Sequence, residues 1–319
     1  MRNLLVLGAT GFVGHSVCEK LVERSGGANG FIRIATRRAA RAKPLQLLPT
    51  AEVAVGDVHD DATLARMLGG VDAVINLVAV LHGSEADFER VHVRLPQRLG
   101  AACARAGVRR VIHVSALGAA PDAPSRYLRS KARGEAALAA AGLDLTVLRP
   151  SVIFGPRDRF MNLFARLQAL FPIVPLAGAE ARFQPVWVED VASAVVRSLD
   201  DRSTIGLTIE CCGPRQYTLK ELVEAAGTWS GRPRRVVSLP AGIGRLQALT
   251  MEWLPGEPLM SRDNLDSMRV PSVASGRLPG LERLGIEPTP LEAIAPLYLG
   301  GGLSEEARLQ AWRSRARRG

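Results

Sequence analysis

Tyr127 and Lys131, in the stretch SRYLRSKARGEAAL (125–138), stand four residues apart in a chain that has only three tyrosines (Tyr127, Tyr217, Tyr298) and four lysines (Lys20, Lys43, Lys131, Lys220). Arg supplies the other 37 basic residues, so a Lys here marks a position that calls for a compact, tunable point charge rather than a fixed planar fork. On one helix the i, i+4 spacing puts both side chains on one face. An ammonium beside the phenol would favour tyrosinate and bring a pKa of about 10 toward neutrality, so that Tyr127 could give or take a proton during hydride transfer. Ser115, at the end of an apolar run upstream, would then hydrogen-bond the substrate oxygen. The same Tyr and Lys can instead grip ribose hydroxyls of a bound nucleotide and do no chemistry; spacing alone does not separate the two.

These residues need a scaffold, and the first half of the chain supplies its pattern. NLLVLG, FIRIAT, AEVAVGD, DAVINLVAVL, RRVIHVSA and LDLTVLRP are short runs apolar on both faces, alternating with helical patterns over 12–24, 60–68, 85–106 and 125–141. That is β-α-β repeated, the pattern of a doubly wound parallel α/β sheet covered by helices. We expect this Rossmann domain over 1–156 and a smaller C-terminal region over 157–319, with 183–200 (FQPVWVEDVASAVVRSLD) folding back onto the sheet as a strand feeding a helix.

The first strand runs into LLVLGATGFVGHSV, with Gly8, Gly11 and Gly14 before a helix. Glycines there permit a tight turn and close approach of backbone N–H groups to a pyrophosphate at the positive end of the helix. At the end of the second strand, where an NAD site usually carries an acidic ribose ligand, the sequence has ATRRAARAK. Arg37 and Arg38 could hold the 2′-phosphate of NADP by charge-assisted forks, or form a solvated basic loop. Asp57, in VGDVHD, is placed to meet the adenine or to cap the helix over 60–68.

Composition removes other classes. The chain has 319 residues, 47% hydrophobic and 23% charged, with a formal net charge of +10. No block of five like charges or aromatic-basic alternation accompanies that charge, so no nucleic-acid partner is expected. Cys18, Cys103, Cys211 and Cys212 form no CxxC, and the five histidines are scattered, so neither a metal site nor a disulfide framework is expected. The apolar run at the N-terminus is too short for a signal peptide or a span, and no later stretch reaches roughly eighteen apolar residues.

With GATGFVG at the start, GDV after the third strand, NLV after the fourth, Ser115 after the fifth and Tyr127/Lys131 beyond, the chain resembles the short-chain dehydrogenase/reductase superfamily. SRYLRSKARGE, RPSVIFGPRDRFMNLFA, QPVWVEDVA, LMSRDNLDSM and LPGLERLGIEPTPLE are similar to its atypical, epimerase/dehydratase-like members typified by alpha subunit 9 of respiratory complex I. The resemblance implies that Gly8, Gly11, Gly14, Arg37, Arg38, Asp57, Tyr127 and Lys131 line a bound dinucleotide, with Thr10, Phe12, Val58, Leu77 and Pro150 beside them, and that NADP(H) is preferred over NAD(H). It implies an accessory or assembly factor of the respiratory chain, linked to complex I or ubiquinone, with a tightly held cofactor. An active NADP-dependent oxidoreductase or epimerase using Tyr127, Lys131 and Ser115 is the alternative, and a redox-sensing regulator a third. One departure bears on the choice: many active members carry Asn in the helix after the fourth strand, where this chain has RVHVRLP with His92. That Asn helps to organise a proton relay.

In the second half, Thr218 and Glu221 are spaced as a capping box, WVED is expected to begin a helix with its acids at the positive end, and Tyr217, Ser151 and His113 read as structural. LPAGIGRLQALTMEWL (239–254) places Ile243, Leu246, Leu249 or Thr250, and Trp253 at helical spacing, which suits a bilayer interface, a partner's groove or packing on the protein's own sheet. The Arg-rich end (304–319) suits an anionic surface or a solvated tail. The expected location is cytoplasmic, with peripheral attachment to the cytoplasmic face of the inner membrane.

Overall fold

Strands that are apolar on both faces need cover on both sides, and the helices between them provide it. The computed structural model describes residues 1–27, 29–253 and 260–300. In chain order, β1 (Leu4–Leu7), α1 (Phe12–Ser25), β2 (Ile32–Thr36), α2 (Ala39–Ala42), β3 (Ala51–Val55), α3 (Asp61–Leu68), β4 (Ala73–Asn76), α4 (Glu85–Phe88), α5 (Leu95–Ala106), β5 (Arg110–Val114), α6 (Arg126–Ala139) and β6 (Asp144–Pro150) alternate strand with helix. There follow β7 (Ile153–Phe154), α7 (Met161–Leu170), β8 (Ile173–Ala177), β9 (Arg182–Phe183), β10 (Val186–Trp187), α8 (Val188–Asp200), β11 (Thr208–Cys211), β12 (Tyr217–Thr218), α9 (Leu219–Trp229), β13 (Arg235–Leu239), α10 (Ala241–Glu252), α11 (Arg262–Ser267) and α12 (Leu291–Leu299).

Seven strands form one sheet in the order β11-β6-β5-β4-β1-β2-β3, with every pair parallel. The chain winds outward from β1 through β2 and β3, then returns to add β4, β5 and β6 on the other side. The expected doubly wound sheet is therefore present, and its switch point lies between β1 and β4, where Leu7 is paired with Asn76. Ligands of such sheets bind at that crevice, beyond the carboxyl ends of the strands. The central strands are buried along their whole length, and Leu5, Leu7, Val74, Leu99, Val111 and Leu138 pack in the core that joins sheet to helices.

Contacts divide the chain into two compact units that interleave. The first comprises Met1–Pro150, Glu189–Cys211 and Ala274–Glu287; the second comprises Ser151–Val188, Cys212–Val273 and the segment beginning at Pro288. The chain passes between units after Pro150, Val188, Cys211, Val273 and Glu287. The physical reason is β11, which pairs parallel with β6 at the sheet edge: a parallel neighbour needs a crossover, and α8 from Glu189 onward belongs to that crossover. The second unit has its own core, in which Phe154, Met161, Phe164, Leu219, Leu222 and Leu291 meet.

The helix expected over 85–106 is present without interruption but is not α-helical throughout. Residues Glu89–Arg94 widen into a π-helical turn between α4 and α5. Pro96 lacks the N–H that would bond the carbonyl of His92 four residues earlier, and that carbonyl instead packs against Gly134 on α6. A turn of this kind is frequent at functional sites.

Candidate dinucleotide site

The turn after β1 is built on glycine for two separate reasons. Gly8 has φ +83°, and a Cβ there would come within 2.9 Å of the Leu77 carbonyl carbon and 3.1 Å of the Val78 nitrogen, so β1 and β4 approach as closely as backbones can. Gly14, in the first turn of α1, has no room for a Cβ against the carbonyls of Gly8 and Ala9. Gly11 stands at the N-cap of α1 without a side-chain cap, and the first turn holds no acid. The helix thus presents open N–H groups and the positive end of its dipole at the switch point. Thr10 and Phe12, both half-buried, border the turn.

At the end of β2, Thr36 shapes the next turn: its Oγ1 donates to the Arg38 carbonyl (3.0 Å) and accepts the Arg38 N–H (3.3 Å). Arg37 and Arg38 are exposed. Asp57 Oδ1 accepts the His59 N–H at 3.1 Å. Capping of α3 falls to Asp60, which accepts from Thr63 N–H at 2.8 Å, so the reading of Asp57 as the cap is corrected. Burial lowers the His59 pKa, with Asp57 opposing and Arg90, Arg37 and Arg98 adding to it, so Arg37 lies within electrostatic reach of the Asp57 turn. Val58 packs its half-buried side chain on the core beside that turn.

The exits of β4, β5 and β6 carry the remaining candidates. Lys131 is 2% exposed, and its Nζ donates to the Val114 carbonyl at 2.9 Å. Burial lowers its pKa to about 8, against the pull of Glu135, whose carboxylate also accepts from Arg149 at 2.6 Å. Tyr127 lies edge-on to His92 (5.5 Å between centroids, 78°) and to Phe88 (6.2 Å, 64°). Burial raises its pKa to about 12. Burial thus moves the phenol away from the neutrality expected of it, and the Lys131 ammonium is committed to a backbone carbonyl. Ser115 N–H donates to the Leu148 carbonyl (2.7 Å) and Leu117 N–H to that of Pro150 (2.9 Å), while the buried Ser115 Oγ has no partner among the described residues.

Sequence reasoning noted His92 only as a departure and His113 as packed in its strand. Each belongs to its own buried polar set. His92 Nε2 accepts the Val80 N–H at 3.1 Å, which leaves Nδ1 to carry the proton and donate to Ser130 Oγ at 2.8 Å. Ser130 Oγ donates in turn to the Tyr127 carbonyl at 2.7 Å. Burial, then the charge of Lys131, lowers the His92 pKa to about 3, so the ring is neutral. Beneath it Asn76 Nδ2 donates to His113 Nδ1 at 3.1 Å, while Asn76 Oδ1 accepts the Val78 N–H at 3.2 Å. The register that pairs Asn76 with His113 was the one signal available, and it needs the strand order to be known.

In the second unit, Thr218 and Glu221 form the expected capping box of α9, and Tyr217 donates to Glu292 at 2.6 Å. Ser151 Oγ donates to the Ser272 carbonyl at 2.7 Å. Glu189 and Asp190 occupy the first turn of α8. α10 turns Gly244 and Ala248 inward, with Gly244 close against Ala177 of β8, whereas Ile243 (55%), Leu246 (61%) and Trp253 (82%) are exposed. The stripe is therefore not spent on the protein's own sheet. Leu254 and the Arg-rich end (304–319) lie outside the described residues.

A family model described as NAD(P)H-binding matches residues 8–166. The mouse (Mus musculus) mitochondrial NADH dehydrogenase [ubiquinone] 1 alpha subcomplex subunit 9 is 36% identical over 243 residues, which is 74% of this chain and 63% of that protein. Ceramide reductase of Caulobacter vibrioides is 30% identical over 253 residues, 78% of this chain and 77% of that protein. The fold is also that of the Escherichia coli NADPH-dependent quinone oxidoreductase QOR2 complexed with NADPH (TM-score 0.73, 21% identity, 92% of this chain and 99% of that one). A glycine turn that a Cβ would fill, an uncapped helix end at the switch point and an orphaned Ser115 hydroxyl all fit a nicotinamide dinucleotide, and together with these matches they place the chain in the NAD(P)H-binding, atypical short-chain dehydrogenase/reductase family.

Proposed function

We propose that the chain retains NADP(H) as a tightly held cofactor and serves as an accessory or assembly factor of the respiratory chain. Gly8, Gly11, Gly14, Thr10 and Phe12 receive the pyrophosphate; Arg37 and Arg38 hold the 2′-phosphate; Asp57 and Val58 border the adenine; Leu77, Pro150, Tyr127 and Lys131 enclose the nicotinamide ribose. When bound, the dinucleotide supplies a hydride donor or acceptor. The observation that carries retention over turnover is the state of the residues behind Tyr127. Lys131 is tied to Val114, and His92, where many active members have Asn, has both ring nitrogens engaged by protein. With Lys131 and His92 committed in this way, Tyr127 serves as a ribose ligand before it serves as an acid. The mouse relative, named as a subunit of NADH dehydrogenase, supports the respiratory assignment.

The test is the purified protein's own chromophore. NADPH that co-purifies and resists exchange against excess NADP+ is the expected result; a protein that exchanges within the mixing time is not a retainer.

A second reading rests on Ser115. Its buried hydroxyl, without a partner among the described residues, stands at the exit of β5 and would bond a substrate carbonyl, with Tyr127 as proton donor, and the Caulobacter relative is named a reductase. Ser115→Ala separates the two: it leaves a retained cofactor in place but abolishes any reductase turnover.

A further inference from the structure

The exit of β4 is held from three sides. Backbone atoms of Leu77 and Val78 lie against Gly8, with no space for a Cβ between them. Asn76 Oδ1 accepts the Val78 N–H at 3.2 Å, and His113 braces the Asn76 amide at 3.1 Å. His92 Nε2 accepts the Val80 N–H at 3.1 Å. The first two ties act at the root of the segment, and the His92 bond holds its far end. His92 is itself fixed: Nδ1 donates to Ser130 on α6 at 2.8 Å, and the ring stacks on Phe88 (5.6 Å, 27°) and meets Tyr127 edge-on. The imidazole is therefore a strut from α6 to the β4 exit, with one nitrogen committed to each end.

We propose that His92 is a positioning residue for cofactor retention: its bond to Val80 keeps Leu77–Val80 closed beside the glycine turn, and release of the dinucleotide requires that bond to open. This rests on the reading of the chain as one that retains NADP(H). A strut that only stabilised the fold would change melting without changing release, whereas this one acts on the segment that borders the site.

The test uses the whole chain loaded with NADPH, with release followed by loss of reduced-nicotinamide fluorescence on a chase with excess NADP+. His92→Phe keeps the ring's volume and stacking but offers no acceptor. It should speed release by about tenfold, the equivalent of one unsatisfied backbone donor, with association little changed. His92→Gln, whose terminal oxygen reaches the place of Nε2, should bring release back to within about threefold of wild type. Val108→Ala, a core truncation in the same unit, should lower the melting temperature and leave release unchanged. Release from His92→Phe at the wild-type rate would overturn the proposal, as would Val108→Ala speeding release equally. Should His92→Phe not fold, amide exchange at Val80 decides: protection in the loaded wild type that is lost in step with release supports the strut, and an unprotected Val80 ends it. Wild type that never retains NADPH is a different result, visible before any variant is made, and removes the retention reading along with this proposal.

Discussion

His92 and Lys131 are both buried bases, and burial acts on both in one direction, against the charged form. For His92 the consequence can be measured as stability. Its folded pKa, about 3, lies below the ordinary value of 6.5, so below about pH 6.5 the unfolded chain takes up a proton that the native state refuses. Stability is fully present above that pH and falls as pH drops toward 3, by roughly 2 to 3 kcal/mol at about pH 4.5 from this residue alone. His113, lowered for the same reason, adds to the loss. Urea midpoints at neutral and acid pH should show the slope, and His92→Gln should flatten part of it; an equal slope in the variant would mean that other groups carry it. Tyr127→Phe is expected to leave the fold intact and weaken NADPH binding by about 0.5 to 1.5 kcal/mol, one hydrogen bond's worth, by titration calorimetry. Under the retention reading this variant still rescues a respiratory phenotype in cells; loss of rescue with binding intact would make Tyr127 a catalytic acid.

At the scale of elements, the turn after β2 is the one whose chemistry the sequence states most openly. Arg37 and Arg38 stand where an NAD site usually carries an acidic ribose ligand, and both are exposed on a turn that Thr36 organises. Arg37→Ala with Arg38→Ala should lower the preference for NADP(H) over NAD(H) by tenfold or more, since a charge-assisted bond contributes about 1.5 to 3 kcal/mol. Titration with both nucleotides measures it; an unchanged ratio removes the 2′-phosphate role. The helix over 85–106 teaches the opposite lesson. Its apolar period is continuous and Pro96 sits within it, but the π-helical turn depends on Gly134 admitting the His92 carbonyl, a partner 42 residues away in sequence that periodicity does not reveal.

For the molecule as a whole, no helix among the described residues is long and apolar enough to cross a membrane, yet the second unit exposes Ile243, Leu246 and Trp253 along α10. We propose that this stripe supports peripheral attachment to an anionic membrane, which draws on buried apolar area and on attraction of about 1 kcal/mol for each nearby basic residue. Sedimentation with anionic vesicles should weaken with salt without vanishing, and Leu246→Glu with Trp253→Glu should abolish it. A chain that stays in the supernatant at low salt, or a double variant that binds like wild type, rules the surface out.

The doubly wound sheet, the glycine turn and the placing of Tyr127 and Lys131 on one helix were determined by the sequence alone, because each depends on local spacing: apolar runs of strand length, glycines between strand and helix, and an i, i+4 step. The protonation of Tyr127, the commitment of Lys131 to Val114 and the strut made by His92 were decided only by tertiary structure. Burial and hydrogen-bond partners come from strands and helices distant in sequence, and a pKa is set by what surrounds a group rather than by the residues beside it. The interleaved units have the same origin, since β11 finds its place by pairing with β6 across an intervening stretch that packs into a different core.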